Sequence, residues 1–399
     1  MTRTARGRRI LVAVFGSAGD LFPLMPVVAS LREQGHDVRC AVPRSLGVYL
    51  RSARLPMYAL GDGSEMRVFD DPRIVTTRFG GWASWQQTAV RYVAPHLAAE
   101  TAALDRVVEG WMPHVVAATS FAAPARLVAA KRRLPLVGLS IYPQHQRQLP
   151  TTRAFGLGLR RAVAETAGLD VADARVTRLA WGVDDTTLVL HDPALVDRVE
   201  LPGAGGEVVG FPYWDDGPGR PGDSARVEEW LGASDDPTVL ITLGSFLGAR
   251  QRAVWAETAK VAAALGVRAL FVGPRRPDDD GLLQNRSGAL AVGFVPLSRV
   301  AHQVDAVVHH GGLGTTFAAL RAGRPAAVVP QAFDQSHNAR LVERTGVGVD
   351  AQRGPLGAAV ERLLAERSLA ARAAEIAARL VPRDVATARI VDRILEVAG

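Results

Sequence analysis

One local pattern occurs twice along the chain and constrains the fold more than any other feature: a buried strand, a glycine turn and an amphipathic helix. It first runs from residue 9, where an apolar strand is followed by glycines and by a helix predicted over 21–34. It restarts at residue 238, after a segment rich in Gly, Pro and Asp over 203–224. Such crossovers make successive strands parallel and place the glycine turns at the carboxyl edge of the sheet. Each half of the chain therefore predicts a doubly wound α/β domain.

The length of 399 residues, of which 48% are hydrophobic, suits two such domains better than one core. We predict a first Rossmann-like domain over 1–205, a linker over 206–225 and a second Rossmann-like domain over 226–380. A continuous helical tail is predicted over 356–397, and residues 381–399 are expected to pack back on the first domain. Further strands are predicted at 37–42, 114–118, 136–139, 238–242, 268–272, 289–292, 306–309 and 326–329, and further helices at 85–108, 123–132 and 250–265.

The net charge of +7 raises the question of a nucleic acid or an anionic membrane as partner. Only Lys131 and Lys260 are lysines, and the many arginines stand beside Asp and Glu along predicted helices. This distribution favours a solvated surface, so we expect neither partner. No stretch reaches the about 18 apolar residues that cross a bilayer. Cys40, the only cysteine, is expected to be a buried strand residue; it permits no intrachain disulfide, which suits the cytoplasm.

The stretch over 304–335 carries the most chemical information. A predicted strand ends at His309 and a helix is predicted to begin near Thr315, so the helix dipole favours an anion in the turn between them. A glycine turn before a capped helix explains the same residues without a ligand. The candidate anion donors are the backbone N–H groups around Gly311, Gly312 and Gly314 and the side chains of His310, Thr315 and Thr316.

Two polar residues follow the next predicted strand. Asp334 and Gln335 come after the strand over 326–329, at the same edge of the sheet. A carboxylate beside an amide can accept hydrogen bonds from, and donate them to, vicinal hydroxyl groups. A phosphate cradle and a hydroxyl-binding pair on adjacent loops predict a sugar diphosphate as ligand. The alternative for these two residues alone is a solvated pair at a helix start.

Several motifs resemble one known family. HHGGLGTT over 309–316, followed by ALRAGRPAAVVPQAFDQSHNA over 319–339, is similar to the donor-binding signature of the nucleoside-diphosphate-sugar glycosyltransferases of the GT-B fold, in the GT1-like branch with antibiotic and sterol glycosyltransferases. FGSAGDLFPLMPV over 15–27 resembles the GSxGDxxP segment of that branch. ITLGSF over 241–246 and GFVP over 293–296 fall in the expected order. The resemblance covers residues 10 to about 348 and implies two Rossmann-like domains that face each other across a cleft.

The resemblance also implies roles for individual residues. Plant relatives have a glutamate for the ribose where this chain has Ala318 or a neighbour, so ribose recognition stays open. We also assign Ser17 and His309 to the donor site. The remaining donor contacts implied are Ser245, His310 and the backbone of 311–315 for the diphosphate, Phe294 and Val295 for the nucleobase, and Asp334 and Gln335 for the sugar.

The first loop, residues 15–27, is where many relatives carry a histidine base. This chain has Ala18 at that place, and the nearest ionisable group is Asp20. Asp20 is expected either to accept the acceptor's proton or only to cap the helix predicted from Leu21. The resemblance implies an inverting transfer from a dTDP- or UDP-sugar, possibly a deoxysugar, to a small natural product, with no metal ion and no cofactor beyond the nucleotide sugar.

The acceptor is expected to bind the first domain, along 61–92 and 140–177. His145 is a further candidate for the acceptor site, whereas His36, His114 and His191 are expected to be structural or solvent-facing. The acid clusters at 215–216 and 278–280 are expected to be solvated loops rather than metal ligands. The aromatic residues that could stack on an acceptor, or else pack in the core, are Phe79, Trp82, Trp85 and Tyr142.

Three readings of function remain open at this point. The resemblance favours the glycosyltransferase. A sugar-nucleotide 2-epimerase shares the fold but would need its own carboxylates around an amino sugar. A non-catalytic nucleotide-sugar-binding relative, or a protein that assists a partner enzyme, is kept open by Ala18 in the place of the histidine. The sequence leaves a monomer and a homodimer equally open.

Overall fold

A computed structural model describes residues 7–61, 88–141, 157–181, 186–196, 206–217, 219–220, 222–244, 251–273 and 288–399. The chain divides into two compact units. The first contains the described residues up to 214 together with Val381–Gly399, and the second contains those from Asp215 to Leu380. In the described part of the chain, no helix is both long and apolar enough to cross a membrane.

The first unit is built on a seven-stranded parallel sheet with the order β3-β2-β1-β4-β5-β6-β7. Its apolar face packs on helices through Leu104, Val108, Val128 and Val163, all nearly inaccessible to solvent. The strands are β1 Arg9–Ala13, β2 Asp37–Pro43, β3 Met57–Leu60, β4 Val115–Thr119, β5 Leu136–Ser140, β6 Thr187–Val189 and β7 Glu207–Val208. The helices are α1 Ala18–Leu21, α2 Met25–Glu33, α3 Gly47–Ser52, α4 Leu97–Trp111, α5 Ala123–Arg132, α6 Leu157–Ala167 and α7 Ala174–Trp181, followed at the end of the chain by α15 Arg383–Ala398.

The second unit has a six-stranded parallel sheet with the order β10-β9-β8-β11-β12-β13. Trp255, Phe271 and Val360 lie in its core. The strands are β8 Thr238–Thr242, β9 Arg268–Val272, β10 Ala289–Val292, β11 Ala306–His309, β12 Ala326–Val328 and β13 Gly348–Asp350. The helices are α8 Asp223–Gly232, α9 Gln251–Leu265, α10 Leu297–Val300, α11 Leu313–Arg321, α12 Gln335–Arg344, α13 Leu356–Ala365 and α14 Arg367–Arg379. The parallel, doubly wound architecture predicted from the sequence is confirmed in both units.

Prolines divide three of the predicted helices. The helix expected over 21–34 is in fact α1, a 3-10 turn over Phe22–Leu24 and α2, because Pro23 and Pro26 cannot donate to the preceding turn. The helix expected over 85–108 begins at Leu97, after a π turn and a 3-10 turn with Pro95. The tail expected to be continuous over 356–397 is three helices. The first is separated from the second at Glu366, and the second from the third by a segment that contains Pro382.

The Gly- and Pro-rich segment after residue 205 is more ordered than its composition suggests. Strand β7 pairs with β6 of the first sheet. Val209, Phe211 and Tyr213 are buried, and the chain passes from the first unit to the second between Trp214 and Asp215. The glycine and proline content predicted a linker here, but apolar residues at alternate positions attach this segment to the first sheet.

Asp192, three residues after β6, binds the start of the C-terminal segment, residues 381–399, within the first unit. It is 0% exposed. Its Oδ2 accepts from the N–H of Val381 at 2.7 Å and its Oδ1 from the N–H of Ala194 at 2.9 Å. Gly210 (φ 101°) packs so closely that a Cβ there would stand 2.8 Å from side-chain atoms of Val381 and Ala386. The start of α15 is therefore positioned by a buried carboxylate.

We expect Asp192→Ala to lower the free energy of unfolding by about 1–3 kcal/mol, because the N–H groups of Val381 and Ala194 lose their acceptor. Urea denaturation measures the change, with Asp384→Ala, whose carboxylate is exposed, as control. Equal midpoints for the two variants would show that Asp192 does not hold the chain end.

Candidate functional site

The glycine turn, residues 309–312, joins β11 to helix α11. The helix begins at Leu313, two residues before the predicted start, and its N-cap Gly312 provides no side-chain hydrogen bond. The first-turn N–H groups of α11 therefore lack a side-chain cap. Thr316 differs from its expected role, since its Oγ1 donates to the carbonyl of Gly312 at 3.0 Å and the hydroxyl proton is used within the helix. Thr315 lies one residue earlier, in the first turn, and is also buried.

Glycines make room for the His310 ring at this helix N-terminus. A Cβ at Gly312 would stand 2.4 Å from His310 Nε2, and one at Gly244 (φ 65°) would stand 2.6 Å from its Cε1. Among the described residues, no atom lies within 4 Å of the Cβ position of Gly314, beside the first helical turn. The glycines of the signature thus serve close packing of one imidazole and access to the backbone.

The two histidines of the turn have different hydrogen-bond states. Nδ1 of His309 accepts from the N–H of Gly311 at 3.0 Å, so this ring holds the turn itself. Nδ1 of His310 is buried and has no hydrogen-bond partner among the described residues. The other ring nitrogen, Nε2, is the one that lies beside Gly312 at the helix N-terminus.

The polar loop, residues 330–335, lies beside the glycine turn. Asp334 is the N-cap of α12, and its Oδ2 accepts from Asn338 Nδ2 at 2.8 Å. The Oε1 of Gln335 accepts from the N–H groups of Gln331 and Ala332, at 2.7 and 2.9 Å. These two bonds fix which end of the Gln335 amide is oxygen, and its Nε2 is left as the donor for a ligand.

The loop after β10 contains the two residues predicted to contact a nucleobase. Phe294 is half-buried, whereas Val295 is 1% exposed and belongs to the core, so of the two only Phe294 offers an accessible side chain. A Cβ at Gly217 would stand 2.6 Å from Cζ of Phe294. The segment around Gly217 is thus packed against the phenylalanine ring.

Two carboxylates attach this segment to the same loop. Asp215 accepts from the N–H and the Oγ of Ser298, at 2.7 and 2.9 Å, and Asp223 accepts from the N–H of Gly293 at 3.1 Å. The expectation of a solvated loop at 215–216 is therefore wrong for Asp215, which is 8% exposed. Its partner lies 83 residues away in sequence, a distance at which local pattern gives no signal.

The first loop is closed by a capping box. The Oγ of Ser17 accepts from the N–H of Gly19 at 3.2 Å, and Asp20 Oδ2 accepts from the N–H of Ser17 at 2.8 Å and from its Oγ at 3.1 Å. Asp20 does take part in capping, but as the third residue of α1, because Ser17 is the N-cap and the helix begins at Ala18. Asp20 is 5% exposed and its carboxylate is held in one orientation.

Some expected residues lie outside the described part of the chain. They are Ser245, Phe79, Trp82, Trp85, Tyr142, His145 and the acid cluster at 278–280. In the part that is described, no three His, Cys, Asp or Glu side chains converge as a metal site.

Comparison with known proteins gives a family match over the second unit and similar proteins over most of the chain. Residues 280–396 match the family described as "Erythromycin biosynthesis protein CIII-like, C-terminal domain". The elloramycin glycosyltransferase ElmGT of Streptomyces olivaceus is 29% identical, over 95% of this chain and 96% of that protein. The O-mycaminosyltylonolide 6-deoxyallosyltransferase of Streptomyces fradiae is 28% identical, over 92% of each chain. These findings support the recognition made from the motifs, a GT-B nucleoside-diphosphate-sugar glycosyltransferase of the antibiotic branch.

The fold of this glycosyltransferase is shared with solved structures. The spinosyn rhamnosyltransferase SpnG, in its complex with thymidine diphosphate, superposes with a TM-score of 0.73. The match covers 96% of this chain and all of that one at 22% sequence identity. At this identity the likeness shows the GT-B fold of two parallel-sheet α/β domains.

Burial controls the charge of the histidines in the glycosyltransferase. It lowers the pKa of His310 to about 4, which the Thr242 carbonyl partly offsets, and that of His309 to about 3, with a further contribution from His310. Burial also lowers the pKa of His191 to about 4; this residue is structural, as one of its two expected readings had it. All three rings are therefore neutral near pH 7. An anion beside His310 would favour its protonated form and raise its pKa.

His36 and His114 also have structural roles. Their Nδ1 atoms accept from the N–H groups of Arg8 and Arg9, at 3.0 and 2.9 Å, and tie the segments before β2 and β4 to the start of β1. Burial is the first cause that lowers the pKa of both.

Two residues of the candidate site escaped the sequence reasoning. Gln331 is buried, its Nε2 donates to the carbonyl of Val329 at 2.9 Å, and its Oε1 has no partner among the described residues. Asn338, on α12, bonds to both the glycine turn and Asp334. Both residues fall inside the motif over 319–339, and that position was the available sequence signal for them. Neither side chain by itself suggests a role in the site.

We expect the free energy of unfolding to fall as the pH is lowered from about 6.5 towards 4, because the unfolded chain binds protons that His191, His309 and His310 refuse in the folded state. Each histidine contributes up to about 1.4 kcal/mol per pH unit in that window. Urea midpoints between pH 4.5 and 7.5 measure the slope. His310→Gln should reduce it and His302→Gln, at an exposed position, should not; an unchanged slope in His310→Gln would contradict the assignment.

Proposed function

We propose that this glycosyltransferase moves a sugar, with inversion, from a dTDP- or UDP-sugar to a small natural-product acceptor. The observation that carries the proposal is the N-terminus of α11, which lacks a side-chain cap and lies beside the His310 ring, where only a glycine at 312 leaves room for the imidazole. In this proposal the second unit binds the donor and the first unit binds the acceptor. A cytoplasmic location fits Cys40, a buried free thiol.

The donor would bind along three adjacent loops of the second unit. The glycine turn and His310 would hold the diphosphate, Phe294 would meet the nucleobase, and Asp334 with Gln335 would hold the sugar. SpnG, which shares the fold, has been solved with thymidine diphosphate and with its spinosyn aglycone. These complexes support a thymidine nucleotide as the first donor to test and a polyketide-like small molecule as acceptor.

Charge stabilisation at the leaving group would come from the chain itself. As the bond between the anomeric carbon and the diphosphate breaks, negative charge grows on the phosphate oxygens. In the proposed complex the N–H groups at the start of α11 and the His310 imidazole would lie beside those oxygens and would stabilise the charge without reorganisation. We propose on this ground that transfer needs neither a metal ion nor a further cofactor.

Asp20 is the proposed general base. It would accept the proton of the acceptor hydroxyl as that oxygen attacks the anomeric carbon from the face opposite the leaving diphosphate, which inverts the configuration. The capping box holds the carboxylate through Oδ2 and so fixes its direction. The competing reading is that Asp20 only closes the box around Ser17, and a variant separates the two.

The first test is nucleotide binding measured by thermal stabilisation with dTDP and UDP, each with and without magnesium. Wild type should gain about 2.7 kcal/mol at a hundredfold excess of ligand over its dissociation constant. His310→Ala should lose most of the gain because the imidazole contact is gone, while His302→Ala, an exposed histidine of the same unit, should keep it. Lack of stabilisation of wild type by either nucleotide at millimolar concentration would overturn the donor site.

The second test is Asp20→Asn, which preserves an oxygen for the N–H of Ser17 but removes the basic carboxylate. Transfer to a panel of aglycones, or hydrolysis of the donor with water in place of the acceptor, should slow by about 10²–10⁴-fold. Nucleotide binding by Asp20→Asn should match wild type. Asp384→Asn, an exposed control, should match wild type in both transfer and donor hydrolysis. Equal rates for wild type and Asp20→Asn would leave Asp20 as a capping residue only, and a wild type that binds nucleotide but turns over no donor would favour the assisting-protein reading.

A further inference from the structure

We propose that Asn338 is a positioning residue that holds the glycine turn and the polar loop in one register. It rests on the proposed function, because the register matters only if the diphosphate binds at one loop and the sugar at the other. The residue is not expected to touch the donor. It would act through the two groups to which it donates.

The geometry is a single amide nitrogen shared between two loops. Asn338 is 3% exposed and lies in the first turns of α12. Its Nδ2 donates to the carbonyl of Gly311 at 2.7 Å and to Oδ2 of Asp334 at 2.8 Å. Both protons of the amide are thereby used, one on each loop. A carboxylate or an aliphatic side chain at this position could not replace this pair of bonds.

The bond to Asp334 replaces an ordinary cap. An aspartate at the N-cap usually accepts from the backbone N–H groups of its own helix, but Asp334 makes no such side-chain bond. The N–H groups of His337 and Asn338 bond to the backbone carbonyl of Asp334 instead, at 2.8 and 3.0 Å. The carboxylate is therefore oriented by Asn338 rather than by the helix end.

The two loops also approach each other closely at Gly311. Its φ of 90° favours glycine, and a Cβ there would stand 2.8 Å from the carbonyl oxygen of Gln335. The backbone that would cradle phosphate therefore lies directly against the residue that would read the sugar. With the Asn338 amide, this contact leaves little freedom for one loop to move without the other.

The proposed reaction depends on this register. The anomeric carbon is bonded to the leaving phosphate oxygen, so its position is set by the diphosphate on one side and by the sugar hydroxyls on the other. A misplacement of about 1 Å can cost about 10²-fold in rate. A nucleoside diphosphate without the sugar does not use the polar loop, so loss of the register should affect turnover far more than nucleotide binding.

The experiment compares Asn338→Ala and the isosteric Asn338→Asp with Thr345→Ala, which removes a side-chain bond to a backbone carbonyl at the other end of α12. The affinity for dTDP or UDP is measured by calorimetry. The rate constants kcat and KM are measured for donor hydrolysis with the matching nucleotide sugar, on protein shown by circular dichroism and melting to be folded.

For Asn338→Ala we expect kcat to fall by about 10²-fold, while the affinity for the nucleoside diphosphate stays within about threefold of wild type. Asn338→Asp should lose at least as much, since a carboxylate would face the Gly311 carbonyl and the Asp334 carboxylate. Thr345→Ala should keep the wild-type kcat. In an Asp334→Ala background, Asn338→Ala should add little to the loss, because residues that act through each other are not additive.

Three outcomes would overturn the positioning role. A wild-type kcat in folded Asn338→Ala would mean that the bonds stabilise the fold only. A parallel loss of nucleoside-diphosphate affinity and kcat would mean that the glycine turn itself has collapsed. In both cases the proposed function stands, because wild type still binds nucleotide and turns over the donor. If wild type binds neither nucleotide, the proposed function fails and the role of Asn338 fails with it.

Discussion

The N-terminus of helix α11 has no side-chain cap, and much of the second unit is arranged around that end. An uncapped helix start carries partial positive charge and unpaired N–H groups, which cost free energy unless an anion or water satisfies them. A serine or aspartate in place of Gly312 would cap the helix, but its Cβ would meet the His310 ring. The glycine at this position therefore leaves the helix without a side-chain cap and makes room for the imidazole.

The residues around the turn show how that geometry is held without filling it. His309 accepts from the N–H of Gly311, and Asn338 donates to the carbonyl of the same glycine. The turn is thus fixed from both sides through its backbone, while the His310 ring lies against the Cβ positions of Gly244 and Gly312. Electrostatic preorganisation requires donor groups that are held in place by the protein before a ligand binds.

The sequence predicted the sheets well and the loops less well, for physical reasons. Strands β8 and β9 coincide with their predicted bounds because continuous apolar runs between glycine turns have few other stable placements in an α/β fold. Helix starts were displaced at Ala18 and Leu313, where a hydrogen bond to Ser17 or the packing of a glycine decides the boundary. Such contacts depend on distances that a spacing rule does not contain.

The same limit explains which site residues were found. His310, Asp334 and Gln335 stand out because their chemistry suits a sugar diphosphate and a family signature contains them. Asp215 and Asn338 are defined by partners 83 and 27 residues away, so their roles exist only once the chain is folded. Ser17, expected at the donor, closes a capping box with Asp20, and this pairing was visible in the sequence as a serine three residues before an acid.

The backbone determines which side-chain atoms of the polar loop donate hydrogen bonds and which accept them. Two N–H groups hold the Gln335 oxygen, so the nitrogen is the donor end of its amide, and the neighbouring Asp334 carboxylate accepts from Asn338. A donor beside an acceptor matches two adjacent hydroxyl groups, one giving and one receiving a hydrogen bond. A deoxysugar that lacks one of the two hydroxyls would leave one member of the pair unsatisfied, and that cost is what would allow this site to distinguish sugars.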